Sequence, residues 1–176
     1  MSGIVLVGAP GAGVTSVGQQ LAALAQLPFV DLALSTAQSL GVAPHTALVS
    51  VPEPEYRRAE TEQALSALAQ LSYRPGVLAL GSGCLHEEAV QESLRQVKAE
   101  STTVVMLTAP LRTLATRNGL DAPRSIAFGT VRHEFGLMLK TREELCRSVA
   151  DSMVDTEQTT ATQCAAAILD SLSSAL

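Results

Sequence analysis

Runs of apolar residues alternate with amphipathic segments along almost the whole chain. The runs are continuous, which is typical of parallel strands that are covered on both faces. They predict strands at 4–7, 27–31, 76–80, 101–107 and 152–155. Apolar residues at helical spacing predict longer helices at 13–26, 55–71, 87–100, 131–149 and 161–172. The pattern therefore predicts an α/β fold with three layers, in which helices flank a central, five-stranded parallel sheet and the crossovers are right-handed.

The remaining segments have a weaker pattern. We predict a short helix over 32–40 that Gly41 closes, and a loop with one short helix over 41–54, where prolines are frequent. Residues 110–117 are predicted to start another helix. Residues 118–128 have the composition of a mobile loop. In the helix over 55–71, the spacing directs four charged side chains mostly to solvent, namely Arg57, Arg58, Glu60 and Glu62. The length fits one domain over 1–176.

A glycine-rich turn follows the first strand and leads into the first helix. It matches the phosphate-binding pattern G-x-x-x-x-G-K-[ST] from Gly8 to Thr15, except that Val14 replaces the lysine. Such a turn directs backbone N–H groups towards an anion at the N-terminus of a helix. The alternative is an ordinary corner between a strand and a helix. We predict a P-loop fold.

Asp31 is a second candidate for the site because it ends the second predicted strand. Ligands of α/β sheets collect at the carboxyl ends of the strands, which places Asp31 near the glycine turn. The alternative is that Asp31 is the N-cap of the next helix. The turn at 81–83 follows the third predicted strand, and its glycines allow a ligand to approach the backbone closely. The alternative is that this turn only connects the strand to the next helix.

Composition and charge narrow the class of partner. Hydrophobic residues make up 47% of the chain and charged residues 16%, which is typical of a globular protein. A net charge of −5 and an aromatic content of 3% argue against a nucleic-acid surface. The three cysteines fit neither a zinc site nor a disulfide framework, so we expect reduced, partly buried thiols. No apolar run reaches about 18 residues, and no charged leader precedes the first strand. We expect a cytoplasmic monomer that binds a small anion, without nucleic acid or membrane.

Several motifs in order make the chain resemble the shikimate kinases, a family of P-loop kinases. The glycine turn spans 8–16, and the family's acid-x-acid motif falls on Asp31-Leu32-Ala33. The helix motif G-E-x-x-F-R-x-x-E resembles 52–60, and the triple-glycine turn corresponds to Gly81-Ser82-Gly83. The matching basic residues are Arg124 of the lid, Arg142 of the later R-x-x-L-Y segment, and Arg117 near the adenine side.

The resemblance implies transfer of the γ-phosphoryl group of ATP to the 3-hydroxyl of shikimate, with Mg²⁺. It implies a substrate segment over about 32–60 and a lid over about 112–130, with Arg124 closing over the phosphates. Thr15 would bind Mg²⁺ with Asp31 in its outer shell. The implied phosphate and nucleotide contacts are Gly8, Gly11, Ala12, Gly13, Thr15, Ser16 and Arg117; the implied substrate contacts are Arg57, Gly81, Ser82, Gly83 and Arg142.

Three residues depart from the family pattern at positions that carry its chemistry. Val14 offers no cation to the β- and γ-phosphates, and Ala33 replaces the acid that meets the acceptor hydroxyl. Ser82 replaces the central glycine, and its Cβ narrows the sugar pocket.

Three hypotheses follow from these motifs and departures. The chain is a degenerate shikimate-kinase-like protein that binds a ligand, with little or no phosphoryl transfer. Alternatively, it is a working kinase for shikimate or a related small hydroxy acid, in which Lys140, Arg124 or Arg132 supplies the missing cation. The third hypothesis is a P-loop protein for an unrelated metabolite.

Overall fold

Five parallel strands form the centre of the protein. A computed structural model describes residues 3–119 and 126–174. The strands are β1 (Ile4–Gly8), β2 (Phe29–Asp31), β3 (Val77–Ala79), β4 (Thr103–Thr108) and β5 (Ser152–Asp155). Their order is β2-β3-β1-β4-β5, and every neighbouring pair is parallel. This confirms the predicted sheet. β2 begins after Pro28, whose nitrogen has no hydrogen to donate to a neighbouring strand.

Helices connect the strands and cover the sheet. They are α1 (Val14–Ala25), α2 (Leu32–Ser39), α3 (Ala47–Ser50), α4 (Glu53–Leu71), α5 (Glu88–Ala99), α6 (Leu111–Arg117), α7 (Ile126–Val149) and α8 (Ala161–Ser174). A 3₁₀ turn spans Gly83–His86. None of the helices within the described residues is long and apolar enough to cross a membrane.

One predicted boundary is wrong. The loop predicted over 118–128 ends earlier, because α7 begins at Ile126 rather than at Val131. Gly129 lies in the first turn of α7, and because glycine has a poor intrinsic helix propensity, the sequence pattern did not indicate a helix there. The predicted lid over 112–130 therefore includes α6 and the start of α7.

Two hydrophobic clusters lie on opposite faces of the sheet, as the alternation within β1 shows. Val5 and Val7 belong to the cluster that includes Leu68 and Leu94 of α4 and α5. Ile4 and Leu6 belong to the cluster that includes residues of α1 and α8, such as Leu21 and Ile168. Because both faces of β1 are covered, its sequence is a continuous apolar run rather than an alternating one. This arrangement confirms the three layers.

The three cysteines are free and more deeply buried than predicted. Each is at most 2% exposed, with Cys84 and Cys146 in one core cluster and Cys164 in the other. Burial raises the pKa of Cys146 to about 12, and it also raises the pKa of Cys84. The thiols of Cys84 and Cys146 therefore stay protonated near neutral pH, and all three cysteines act as small apolar core residues.

The burial of the core predicts that replacing two different leucines by alanine has unequal effects on the free energy of unfolding. Leu94 is fully buried and Leu24 is 49% exposed, and both lie in helices. Leu94→Ala should lower the free energy of unfolding by about 2–5 kcal/mol, because it leaves a cavity among α4, α5 and the sheet. Leu24→Ala should cost less than about 1 kcal/mol. Urea titration of both variants tests this, and equal losses would contradict the assigned core.

Candidate functional site

The glycine turn between β1 and α1 exposes the beginning of α1 to a cleft. Gly13, the N-cap of α1, has a φ of 93°, a left-handed conformation that favours glycine. Gly13 has no side chain that could cap this end of the helix, so the cap residue offers no side-chain acceptor to the N–H groups of the first turn. Free N–H groups at the N-terminus of a helix are suited to an anion.

Hydrogen bonds hold the turn from its outer side. Asn118 Nδ2 donates to the carbonyl oxygen of Pro10 at 3.0 Å, and Arg117 Nη1 donates to that of Gly11 at 3.0 Å. The Thr156 hydroxyl lies 3.0 Å from the carbonyl oxygen of Ala12 and 3.1 Å from that of Thr108, and it can donate its one proton to either. In a trans peptide the N–H points away from the C=O, so these bonds direct the N–H groups of the next residues to the other side. The N–H of Ala12 is used within the turn, by the carbonyl oxygen of Ala9 at 3.0 Å.

Arg117 is therefore bound to the chain itself in this structure. Besides Gly11, its guanidinium donates to the Thr156 hydroxyl at 3.0 Å and to the Thr156 carbonyl oxygen at 2.7 Å. The family resemblance implies that Arg117 lies near the nucleotide, but no sequence signal points to Asn118 or Thr156. Neither lies in a recognisable motif, and the contact from Thr156 to Ala12 joins residues 144 positions apart.

Val14 presents hydrocarbon where the phosphate-binding pattern has an ammonium group. It is the first residue of α1 and packs against the core cluster of Val17 and Leu21. Among the described side chains, the basic residues that line the cleft are Arg57, Arg117 and Arg142. Lys140 lines a separate pocket of about 160 Å³ instead. Arg124, the predicted lid arginine, lies outside the described residues, as does the side chain of Arg132.

Asp31 connects the first turns of two helices. Its Oδ2 accepts a hydrogen bond from the Thr15 hydroxyl at 2.6 Å, and its Oδ1 accepts one from the Leu34 N–H at 3.0 Å. Both interpretations from the sequence hold, because Asp31 is the N-cap of α2 and also lines the cleft. A hydroxyl and a carboxylate beside a phosphate site fit Mg²⁺, which takes one or two protein carboxylates along with substrate phosphates. Ala33, which is exposed in the same cleft, adds only a methyl group.

Arg57 and Glu60 form an ion pair at the other end of the cleft. Arg57 Nη1 lies 2.8 Å from Glu60 Oε2, and Arg57 Nε lies 3.6 Å from Glu53 Oε1. Glu60 is only 8% exposed and Arg57 is half-buried, so the prediction that both face solvent is wrong. The turn at 81–83 covers the pair so closely that a Cβ on Gly83 would lie 2.5 Å from Glu60 Oε1. A side chain at position 83 would therefore displace the Arg57–Glu60 ion pair.

Arg142 takes part in none of the ion pairs among the described residues. Its Nε is buried and has no hydrogen-bond partner among them. Burial lowers the pKa of Arg142, and the nearby positive charge of Arg57 lowers it further. Burial also acts to lower the pKa of Arg57, but the hydrogen bond and charge of Glu60 outweigh it and the pKa is raised. An anionic ligand would stabilise this pair of arginines.

One cleft of about 610 Å³ joins the two ends. It contains every predicted site residue whose side chain the structure describes: Gly8, Gly11, Ala12, Gly13, Val14, Thr15, Ser16, Asp31, Ala33, Arg57, Gly81, Ser82, Gly83, Arg117 and Arg142. Ser82 has a φ of −133°, so its side chain causes no backbone strain there. Tyr56 also lines this cleft, and its ring is buried. Its helical spacing predicted only that it faces the interior of the protein.

The fold is of the P-loop class, with a parallel central sheet and a glycine turn at the start of α1. Comparison with known proteins identifies the family. The model of the shikimate kinase family matches residues 10–173, and the chain belongs to this family.

Individual relatives are similar over almost their whole length. The chain is 31% identical to a shikimate kinase of Thermobifida fusca over 171 residues, covering 97% of this chain and 95% of the relative. It is 34% identical to that of Salinispora arenicola over 161 residues, covering 92% of each. Among solved structures, Acinetobacter baumannii shikimate kinase in complex with shikimate has a TM-score of 0.80 and 27% identity, covering 99% of this chain and 94% of that one.

The outer hydrogen bonds of the glycine turn predict a role for Thr156 in stability. Thr156 is 4% exposed, and valine matches its shape but has no hydroxyl. Thr156→Val should lower the free energy of unfolding by about 1–3 kcal/mol, because the Ala12 carbonyl and Arg117 lose a buried partner. Thr116→Val is the matched control, since Thr116 is exposed and bonds only within α6. Equal unfolding midpoints in urea for the two variants would contradict this role.

Proposed function

We propose that the protein binds a shikimate-like hydroxy acid and a phosphate-bearing ligand in the shared cleft, and that it transfers phosphoryl groups very slowly or not at all. One observation carries this proposal. Val14 occupies the lysine position and packs against the core, and the described basic residues of the cleft are Arg117, which is bonded to Gly11 and Thr156, and the arginines 57 and 142 of the acid-binding end.

The acid-binding end supports the first half of the proposal. Arg57 and Arg142 lie beside the turn at 81–83, and Glu60 neutralises only one of them directly. A carboxylate placed between the guanidinium groups would receive charge-assisted hydrogen bonds. The shikimate complex of the Acinetobacter baumannii relative supports a cyclic hydroxy acid as the ligand class.

The transfer end supports the second half. Phosphoryl transfer depends on positioning and on stabilisation of charge, and loss of one preorganised donor typically lowers the rate by roughly 10²–10³. Loss of a general base typically costs roughly 10²–10⁴. Val14 and Ala33 correspond to these two losses. The effects need not add, but either one alone is large.

The cofactor expected from the family fits this site in part. Thr15 and Asp31 are the residues that would hold Mg²⁺ with the phosphates of ATP, and the metal would offset part of their negative charge. The first turn of α1 would receive a phosphate through its N–H groups. We therefore expect ATP to bind more weakly than to a P-loop that retains its lysine.

A working shikimate kinase is the second candidate, and the Thr15–Asp31 hydrogen bond of 2.6 Å favours it. The bond keeps the oxygen ligands for a metal together, and the arginine pair is retained as well. The missing cation would then come from a residue such as Arg124 or Arg132, whose side chains the structure does not describe.

Coupled ADP release separates the two candidates. We expect the purified protein with Mg-ATP and shikimate to turn over at least about 100-fold below the ~1–100 s⁻¹ typical of kinases, because the lysine and the acid are both missing. The Thermobifida fusca relative, assayed in parallel, controls for the assay. Calorimetry on the same preparation should detect binding of shikimate. Turnover within about tenfold of the typical range would establish the active enzyme instead.

A further inference from the structure

A second pocket lies between β4, α6 and α7, and the proposed function makes no use of it. This α6–α7 pocket has a volume of about 160 Å³. Ala9 is the one described residue that lines both this pocket and the main cleft, and neither Arg57 nor Arg142 lines it. The two helices and the strand therefore enclose a space that is separate from both ends of the cleft.

The walls of the α6–α7 pocket belong to the packed core. Leu107 of β4, Leu114 of α6 and Leu139 of α7 line it, and each is at most 7% exposed. Asn118 also fixes the position of α6, because its Nδ2 donates to the carbonyl oxygens of Leu114 and Pro10, at 2.7 and 3.0 Å. The packing of the fold therefore forms the pocket without a ligand, and preformed apolar pockets are typical sites for small molecules.

Gly136 of α7 leaves room in the pocket beside Leu111 of α6. Glycine is a poor residue for the interior of a helix. Among the described residues, a Cβ at position 136 would meet only Leu111 Cδ2, at 4.0 Å, which is an ordinary contact. Close packing therefore does not require glycine here. Leu111 lines the pocket and is 56% exposed, so its apolar surface is accessible to a ligand.

Two charged side chains line the same pocket, and they differ in their partners. Glu143 accepts a hydrogen bond from Arg147 Nη2 at 2.8 Å, so its charge is offset within α7. Lys140 is exposed and takes part in none of the ion pairs among the described residues. An ammonium group at the edge of an apolar pocket is suited to the carboxylate of a ligand whose body is apolar.

We propose that the α6–α7 pocket binds a small monocarboxylic acid with a compact apolar ring, of the size of benzoate. The ring lies between α6 and α7, and the carboxylate pairs with Lys140. The size fits, because an apolar cavity of about 150 Å³ can hold benzene. A ring that carries several hydroxyl groups fits poorly, because the leucines offer no hydrogen-bond partners to them.

Titration of the full chain with benzoate at low salt, followed by ¹H–¹⁵N correlation NMR, tests the site. We expect saturable shifts with a Kd of about 1 mM or tighter. The shifts should be largest at the amides of Ala109, Leu111 and Gly136 and small at Gly81 and Ser82, which line the main cleft. No saturation up to about 10 mM overturns the inference. Shifts centred on the turn at 81–83 overturn it too, because they place benzoate in the main cleft.

Probes of similar size test the role of the charge. Benzyl alcohol and benzylamine should bind at least about threefold more weakly than benzoate, because only the carboxylate pairs with Lys140. Tighter binding of benzylamine than of benzoate would assign the charge recognition to Glu143 and overturn the proposed ligand class. Saturating shikimate should leave the Kd of benzoate unchanged, and displacement of benzoate by shikimate overturns the separate site.

Two substitutions of arginine or lysine by glutamine on α7 distinguish the two anion sites. Lys140→Gln should weaken benzoate by about three- to fivefold, the range of an exposed ion pair. Arg142→Gln removes the same charge two residues later, from a side chain that lines the main cleft. It should leave the affinity for benzoate within about twofold and weaken shikimate. A larger effect of Arg142→Gln than of Lys140→Gln on benzoate overturns the inference, whereas the proposed function depends only on the result for shikimate.

Filling the pocket is the second test. Gly136→Leu places a branched side chain in the space beside Leu111 and should weaken benzoate by at least about tenfold. Gly136→Ala is the matched control, because it adds only the Cβ that fits there, and it should change the affinity by less than about threefold. Undiminished binding to Gly136→Leu with an unchanged urea unfolding midpoint overturns the site. If Gly136→Leu does not fold, the NMR shifts and Lys140→Gln decide.

Discussion

The hydrogen bonds that hold the carbonyl groups of Pro10, Gly11 and Ala12 determine what this cleft can bind. They come from Asn118, Arg117 and Thr156, which lie beyond β4 and β5. A glycine turn has many accessible conformations, and fixing it costs conformational entropy. Because the outer carbonyls are fixed, the N–H groups on the opposite face of the turn are oriented before any ligand arrives, and a preorganised site loses less free energy on binding.

Recognition and transfer of a phosphate depend on different groups in this fold. Recognition uses backbone N–H groups and the end of α1, which are set by glycines and by the sheet. Transfer needs charge placed against the terminal phosphate and a base beside the acceptor oxygen. The substitutions at Val14 and Ala33 leave the backbone of the turn and of α2 in place. Recognition and transfer therefore depend on different parts of the chain, which is the basis of the proposal that recognition is retained and transfer is weakened.

The five parallel strands and the residues that line the cleft could be predicted from the sequence, and the order of the strands and the individual side-chain partners could not. β1 is a run of apolar residues whose alternate members enter both core clusters, so its pattern indicated a central parallel strand directly. Glu60 was assigned to solvent because helical spacing describes one buried face only. α4 packs against both α2 and α5 and also against the turn at Gly83, so several of its faces are covered. The hydrogen bonds from Asn118 and Thr156 to the glycine turn join distant loops and have no local pattern.

The central claim is that the anion site is intact and that the groups for transfer are absent from positions 14 and 33. The double variant Val14→Lys with Ala33→Asp restores both, and the aliphatic stem of lysine can replace part of the packing of valine. With Mg-ATP and shikimate, its rate of ADP release should exceed that of the unmodified protein by at least about 100-fold. A rate that stays at the level of the unmodified protein, in a double variant with an unchanged urea unfolding midpoint, would contradict the claim.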